Sequence, residues 1–249
     1  MNSLSLHGIS KRFGGLVAVR DVNMEIAHGE RRALIGPNGA GKSTLFNVIA
    51  GDLPATSGKI IIFDKDVTHM PVHKRVALGL RRTYQTSALF DMLTVRENLY
   101  LGVVGPGKGH LDMVTNAMHD KVRMACVEQT AQSVRLTDRL SSFTGDLSHG
   151  ERRQLEIGLA LAWEPKFIML DEPAAGLSPE ERKVLKSLLL GLPREITLLL
   201  IEHDMDVALS IGERVTVLAE GAIVAEGTPD EISSNPLVQR IYLGGKLDE

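Results

Sequence analysis

Residues Gly36 to Ser43 read Gly-Pro-Asn-Gly-Ala-Gly-Lys-Ser, the spacing G-x-x-x-x-G-K-[ST]. Every fixed position in that string suits the holding of phosphate. Gly36 and Gly41 let backbone N–H groups close around phosphate oxygens, Lys42 brings a compact positive charge to the β/γ end, and the Ser43 hydroxyl suits Mg²⁺. Pro37, Asn38, Gly39 and Ala40 complete the loop. Thr44 lies in the first turn of the helix that follows, whose N-terminal dipole adds to the same anion site. The expected ligand is ATP with Mg²⁺.

A second constellation is Phe167-Ile168-Met169-Leu170-Asp171-Glu172, an apolar run ending in two acids. As a buried strand it places carboxylates at the carboxyl edge of a parallel sheet, where ligands of open α/β folds bind. Asp171 is then placed to hold Mg²⁺ through water, and Glu172 to orient or deprotonate an attacking water. A third is Leu147-Ser148-His149-Gly150-Glu151, which admits two compatible readings. Ser148 and Glu151 have the spacing of a capping box, and the Ser148 hydroxyl with the Gly150 N–H at a helix N-terminus also suits a second phosphate contact.

The elements that must position these groups are legible around them. From Leu4 to Gly29, apolar and polar residues alternate around turn signals at Phe13-Gly14-Gly15 and His28-Gly29, which predicts antiparallel strands. Arg31 to Ile35 reads as a short strand entering the glycine loop, and Lys42 to Ala50 as a helix stopped by Gly51 and Pro54. Ile60 to Phe63 predicts one more strand, after which the chain is helical and irregular to about Glu164, with Gly102 to Gly109 as a mobile loop. Arg152 to Trp163 is amphipathic, with Leu155, Leu159 and Ala162 on one face.

Alternation of strand and helix returns at Phe167. Ser178, Pro179 and Glu181 mark a helix start, Ile196 to Ile201 is a strand, and a helix follows from Asp204. Val215 to Leu218 and Ile223 to Ala225 flank Glu220-Gly221 as a hairpin, and Thr228-Pro229-Asp230-Glu231 opens a last helix. The expected architecture is α/β: a mostly parallel core sheet, an N-terminal antiparallel β subdomain, and a helical subdomain inserted at about 82–164 of a single domain spanning 1–249.

Composition sets the bounds. The 249 residues are 43% hydrophobic and 24% charged, enough apolar content for a sizeable core. Twenty-eight Lys and Arg against 31 Asp and Glu give a net charge of -3, so no nucleic-acid partner is expected. Cys126 is the one cysteine, which excludes an intrachain disulfide and fits a reducing compartment. The N-terminus lacks the basic-then-apolar pattern of a signal peptide, and the run Ile196 to Ile201 is far short of the roughly 20 apolar residues of a membrane span.

The ordered set of phosphate loop, Gln85, Leu-Ser-x-Gly-Glu, apolar-Asp-Glu-Pro and Glu202-His203-Asp204 resembles the ATP-binding cassette (ABC) family across nearly the whole chain. The resemblance implies an ATPase working as a head-to-tail dimer, either of identical chains or with a paralogue, in which one subunit's ATP is closed over by the other's signature motif. It implies that Phe13 stacks on adenine, that Gln85 senses Mg²⁺ and links to the membrane partner, and that His203 contacts the γ-phosphate. It further implies integral permease subunits, docked beside Gln85 near Leu89, Phe90, Met92 and Leu93, with an extracytoplasmic solute-binding protein as indirect partner. The chain would sit peripherally on the cytoplasmic face of the plasma membrane.

The chain departs from the family pattern twice, with His149 where glycine is usual and Ser178 where many members carry aspartate. Arg82-Thr83-Tyr84-Gln85, Pro173 to Leu177, Ile201 to Met205 and Ile241-Tyr242-Leu243-Gly244 look like the branch that serves branched-chain amino-acid, amide and urea importers. Two alternatives stand beside it: the ATPase of lipopolysaccharide export, whose Tyr-Leu-Gly ending is similar, and a soluble ABC ATPase without a permease.

Overall fold

A computed structural model describes residues 1–83, 89–104, 121–162 and 165–242. The alternating N-terminal stretch forms β1 (Asn2–Phe13) and β2 (Leu16–Ala27), antiparallel and closed where Phe13 pairs with Leu16. With β4 (Ser57–Ile62) and β5 (Lys65–Asp66) they make an antiparallel sheet in the order β2-β1-β4-β5.

The second sheet contains β3 (Arg31–Ile35), β6 (Leu80–Arg82), β7 (Phe167–Asp171), β8 (Thr197–Ile201), β9 (Arg214–Ala219) and β10 (Ala222–Gly227), in the order β10-β9-β3-β8-β7-β6. Its pairs are parallel except β9 with β10. Glu220 and Gly221 join those two, and both have positive φ, as a two-residue hairpin turn of type I′ requires.

Strands β3, β7 and β8 are buried at every residue, because both faces of this sheet are covered. Side chains of a strand alternate between faces, and here each face has its own core. Phe167 and Met169 pack with Leu34, Leu199 and Ile201 against Leu4 and Leu6 of β1 and against Leu45, Phe46 and Ile49 of α1 (Lys42–Ala50). Ile168, Leu170, Leu198 and Leu200 face the other way, onto Leu155 of α5 (His149–Leu161) and Leu185 and Leu188 of α6 (Pro179–Leu190). Burying each such Leu, Ile or Phe contributes roughly 1.5–3 kcal/mol.

Helix α2 (Val72–Ala77) precedes β6, while α3 (Val95–Val104), α4 (Lys121–Ser133) and α5 lie between β6 and β7 in the chain. Val95, Leu99 and Val103 of α3 share a core with Val127 and Ala131 of α4. The expected loop from Gly102 is corrected at its start: Gly102 belongs to the last turn of α3, where a Cβ would lie 3.0 Å from Leu159 Cδ2 of α5. Here glycine serves close helix packing, and residues 105–109 of that expectation lie outside the described residues.

After β8 come α7 (Met205–Ile211), capped by Asp204, and α8 (Pro229–Ser233), capped by Thr228. The expectation that Thr228 opens the last helix is also corrected, since α9 (Pro236–Tyr242) follows and buries Val238 against the β3–β9 face. Helix α8 stops at Ser233 with Ser234 as its C-cap, and Pro236 is the first residue of the next helix, a position where its missing N–H costs nothing.

Candidate nucleotide site

Strands β3, β7 and β8 run in parallel register, with Leu34 and Asp171 both paired to Ile201. Their carboxyl ends therefore deliver the phosphate loop, Asp171-Glu172 and Glu202-His203 to one edge of the sheet, where open α/β sheets bind ligands.

The loop from Gly36 to Gly41 depends on its glycines for approach as well as for conformation. A Cβ on Gly36 would collide with the Leu218 carbonyl oxygen, and one on Gly41 with that of Ala18 in β2. Gly41 is also the N-cap of α1, in the left-handed region (φ 99°), and contributes no side-chain cap. Helix α1 thus begins without an acid in its first turn and with its leading N–H groups turned to the loop, which suits an anion. From the other side the hairpin turn braces the loop: Gly221 N donates to Ala40 O at 3.0 Å and Arg20 N to Gly221 O at 2.7 Å.

Lys42 is 6% exposed. Its Nζ donates to the carbonyls of Gly36 at 2.7 Å and Pro37 at 3.0 Å. Burial lowers its pKa, against the opposing charges of Glu172 and Asp171. Ser43 is exposed and Thr44 half-buried beside it.

Asp171 is almost wholly buried, and its Oδ1 has no hydrogen-bond partner among the described residues. Burial and then the neighbouring Glu172 charge push its carboxyl up, opposed by Arg82, Lys42 and Arg153. An orphaned carboxylate oxygen held in place by a strand is a poor structural group and a good hard-cation ligand. No cluster of three or more His, Cys, Asp or Glu fit for a metal occurs among the described residues. The buried Asp171 carboxylate fits Mg²⁺, which is commonly held by one or two carboxylates with substrate phosphates and water. Held there, such an ion would neutralise charge developing on the phosphates.

Glu172 takes a left-handed backbone, φ 48°, and its N–H donates to Ile201 O at 2.9 Å. Its Oε2 lies 3.7 Å from Nδ1 of the exposed His203. Two residues given no role by the motif reading join them. Arg153 of α5 donates from Nη2 to the Glu172 carbonyl at 3.3 Å while its Nη1 pairs with Glu156. Glu202 is fully buried, accepts from Ala174 N at 2.9 Å, and is pushed up to about 7 by burial, opposed by that hydrogen bond and by His203. An acid directly after the four apolar strand residues Leu198 to Ile201 and directly before His203 was the available signal for Glu202; Arg153 left none.

Ser148 caps α5 in a full capping box, its Oγ accepting from Glu151 N at 3.2 Å. Gly150 N donates to Glu181 Oε1 at 2.9 Å, and the same carboxylate accepts from Ser178 N at 2.9 Å. His149 Nε2 lies 3.3 Å from Ala175 O. The two departures from the family pattern, His149 and Ser178, thus meet across one seam between α5 and the segment that follows Glu172. The hydrogen bonds of Ser148 and Gly150 run to Glu151 and Glu181, not to the phosphate loop. Phe13 is 46% exposed, with Lys11 Nζ 5.0 Å from its ring centroid, so it is an open aromatic and not a core one. Gln85 lies outside the described residues.

The chain is similar along nearly its whole length to proteins of known class. Residues 19–175 match the family model described as ABC transporter, and residues 222–248 that described as branched-chain amino acid ATP-binding cassette transporter. The chain is 37% identical to the high-affinity branched-chain amino acid transport ATP-binding protein BraF of Pseudomonas aeruginosa, with 97% of each chain covered. It is 38% identical to the corresponding LivG protein of Escherichia coli, again over 97% of each. Among solved structures, the ADP conformation of an ATP-binding cassette of an ABC transporter superposes with a TM-score of 0.88 at 33% identity, covering 98% of this chain and 99% of that one. A dimeric bacterial ABC transporter cassette superposes at 0.78 with 25% identity over 91% and 98%. The chain belongs to the ABC transporter family and is one of its ATP-binding cassette ATPases.

Proposed function

We propose that this ATPase drives an importer of branched-chain amino acids or related small solutes, working as a pair of cassettes on the cytoplasmic face of a membrane. The observation that carries the cargo class is the likeness to branched-chain amino acid transport proteins along nearly the full chain, including a C-terminal segment with its own branched-chain model. In this reading ATP lies on the loop from Gly36 to Thr44, with Phe13 against the adenine. Ser43, Asp171 and Gln85 hold Mg²⁺, Glu172 acts on the attacking water, and His203 contacts the γ-phosphate. Ser148 and Gly150 close over the nucleotide of the second cassette.

No described helix is long and apolar enough to cross a membrane, so in this reading the permease helices belong to partner chains. Phe90 and Met92 support a docking surface there: they are 57% and 86% exposed, while the adjoining Leu89 packs on the core. Neighbouring exposed apolar side chains mark interaction surfaces more often than scattered ones do. The test is to extract native membranes gently through a tag on this chain and identify co-purifying proteins by mass spectrometry. Two integral permeases and a solute-binding protein that takes branched-chain amino acids are expected. Recovery of soluble partners alone would overturn the transport assignment and leave the ATPase.

A further inference from the structure

Glu202 sits where the three catalytic segments meet. Its backbone N–H donates to Leu34 O at 3.3 Å, on the strand that enters the phosphate loop. Its Oε1 accepts from Ala174 N at 2.9 Å, in the turn after Glu172, and the next residue is His203. That turn is closed by Ala175 N donating to Glu172 O at 3.1 Å. Glu202 Oε2 has no hydrogen-bond partner among the described residues. A fully buried carboxyl that makes one side-chain hydrogen bond is a costly way to hold a turn. Local choices of that kind cluster where function requires a particular geometry.

The geometry it holds is itself unfavourable. Glu172 has φ 48°, a region that a side-chain-bearing residue keeps only when its surroundings fix it. Ile201 O holds the Glu172 N–H, and the neighbouring Glu202 side chain holds the Ala174 N–H, so residues 201 and 202 grip the turn at two points.

We propose that Glu202 is a positioning residue for ATP hydrolysis: by accepting the Ala174 N–H from inside the sheet edge, it keeps the Glu172 turn left-handed and sets the Glu172 carboxylate opposite His203. The inference rests on Glu172 acting on the attacking water.

The test compares purified full-length Glu202→Met, which fills the volume without an acceptor, with Glu202→Gln, which keeps a carbonyl for Ala174. Glu172→Gln is measured in parallel. The expected result for Glu202→Met is a kcat about ten- to a hundredfold below wild type with the KM for ATP within about twofold, since a misplacement of about an ångström carries that cost. Glu202→Gln is expected to stay within about threefold of wild type in both. If Glu202→Met does not fold, as judged by circular dichroism, Glu202→Asp takes its place, with its carboxylate one methylene short and the same loss of kcat expected.

Wild-type kcat in the acceptor-lacking or shortened variant overturns the proposal, as does an equal loss in Glu202→Gln or a loss carried by KM. Wild-type kcat in Glu172→Gln instead removes the assignment of Glu172, and this inference with it. Slow Glu172→Gln beside fast Glu202→Met removes the inference alone.

Discussion

His203 Nδ1 stands 3.7 Å from Glu172 Oε2, although the two residues are carried by different strands and meet only because β7 and β8 run side by side in register. The histidine is exposed and the acid half-buried, so the pair is open to solvent. Replacing His203 with Ala should lower kcat about a hundredfold while ATP binding changes little, because the loop that cradles the phosphates is left untouched. Steady-state ATPase kinetics with nucleotide titration measure both quantities. A change confined to affinity would count against the arrangement.

Lys42 and Gly41 separate charge from shape at the loop. Lys42→Ala should weaken ATP binding by more than about tenfold with the fold intact, since it removes a buried cation hydrogen-bonded to the loop carbonyls. Gly41→Ala should also lower stability by at least about 1 kcal/mol, because the new Cβ meets the Ala18 carbonyl and φ is 99°. Isothermal titration with ATP and denaturant melts resolve the two effects.

Glu202 gives a pH signature with a definite sign. Its carboxyl is pushed from 4.5 up to about 7 by burial, with His203 opposing and Glu172 and Asp204 adding to the rise. The folded state therefore holds that proton more tightly than the unfolded chain. Its contribution is fully present below about 4.5 and is lost as pH rises through about 7, amounting to a few kcal/mol at most. Capping carboxylates such as Glu151, Glu181 and Glu231 are shifted down and act with the opposite sign at lower pH. The difference between wild type and Glu202→Gln isolates the one group. It should widen against wild type between about pH 5 and 7 in urea titrations, and a pH-independent difference would contradict the assignment.

Met92 tests the docking surface without touching the nucleotide site. Met92→Asp should abolish recovery of permease subunits from membranes and leave the ATPase rate of the isolated chain within about twofold of wild type, as expected for an 86% exposed residue. Retained permease binding would place the docking surface elsewhere.

Much of this arrangement was legible in the sequence because its signals are local. The glycine loop, the apolar strand ending in Asp171 and Glu172, and the three capping boxes each declare themselves within a few residues, and each forms. What escaped was set by tertiary contact. Gly102 reads as a loop former until Leu159 is seen against it, and α9 is a short helix of seven residues that begins only two residues after the C-cap of α8. Strand β6 is too short and too basic to read as a strand, yet pairing with β7 fixes it. Arg153 looks like an ordinary charged residue in sequence and Glu202 is marked only by its place between an apolar strand and His203; the fold is what turns both onto the Glu172 turn.

The most direct measurement is ATP turnover and molecular mass of the full-length Glu172→Gln variant with ATP and Mg²⁺, by phosphate release and light scattering. The expected result is hydrolysis slowed at least about a hundredfold together with an ATP-dependent doubling of mass, as two cassettes close and cannot reopen. Hydrolysis at the wild-type rate, with the chain monomeric throughout, would contradict both the catalytic role of Glu172 and the paired cassettes built on it.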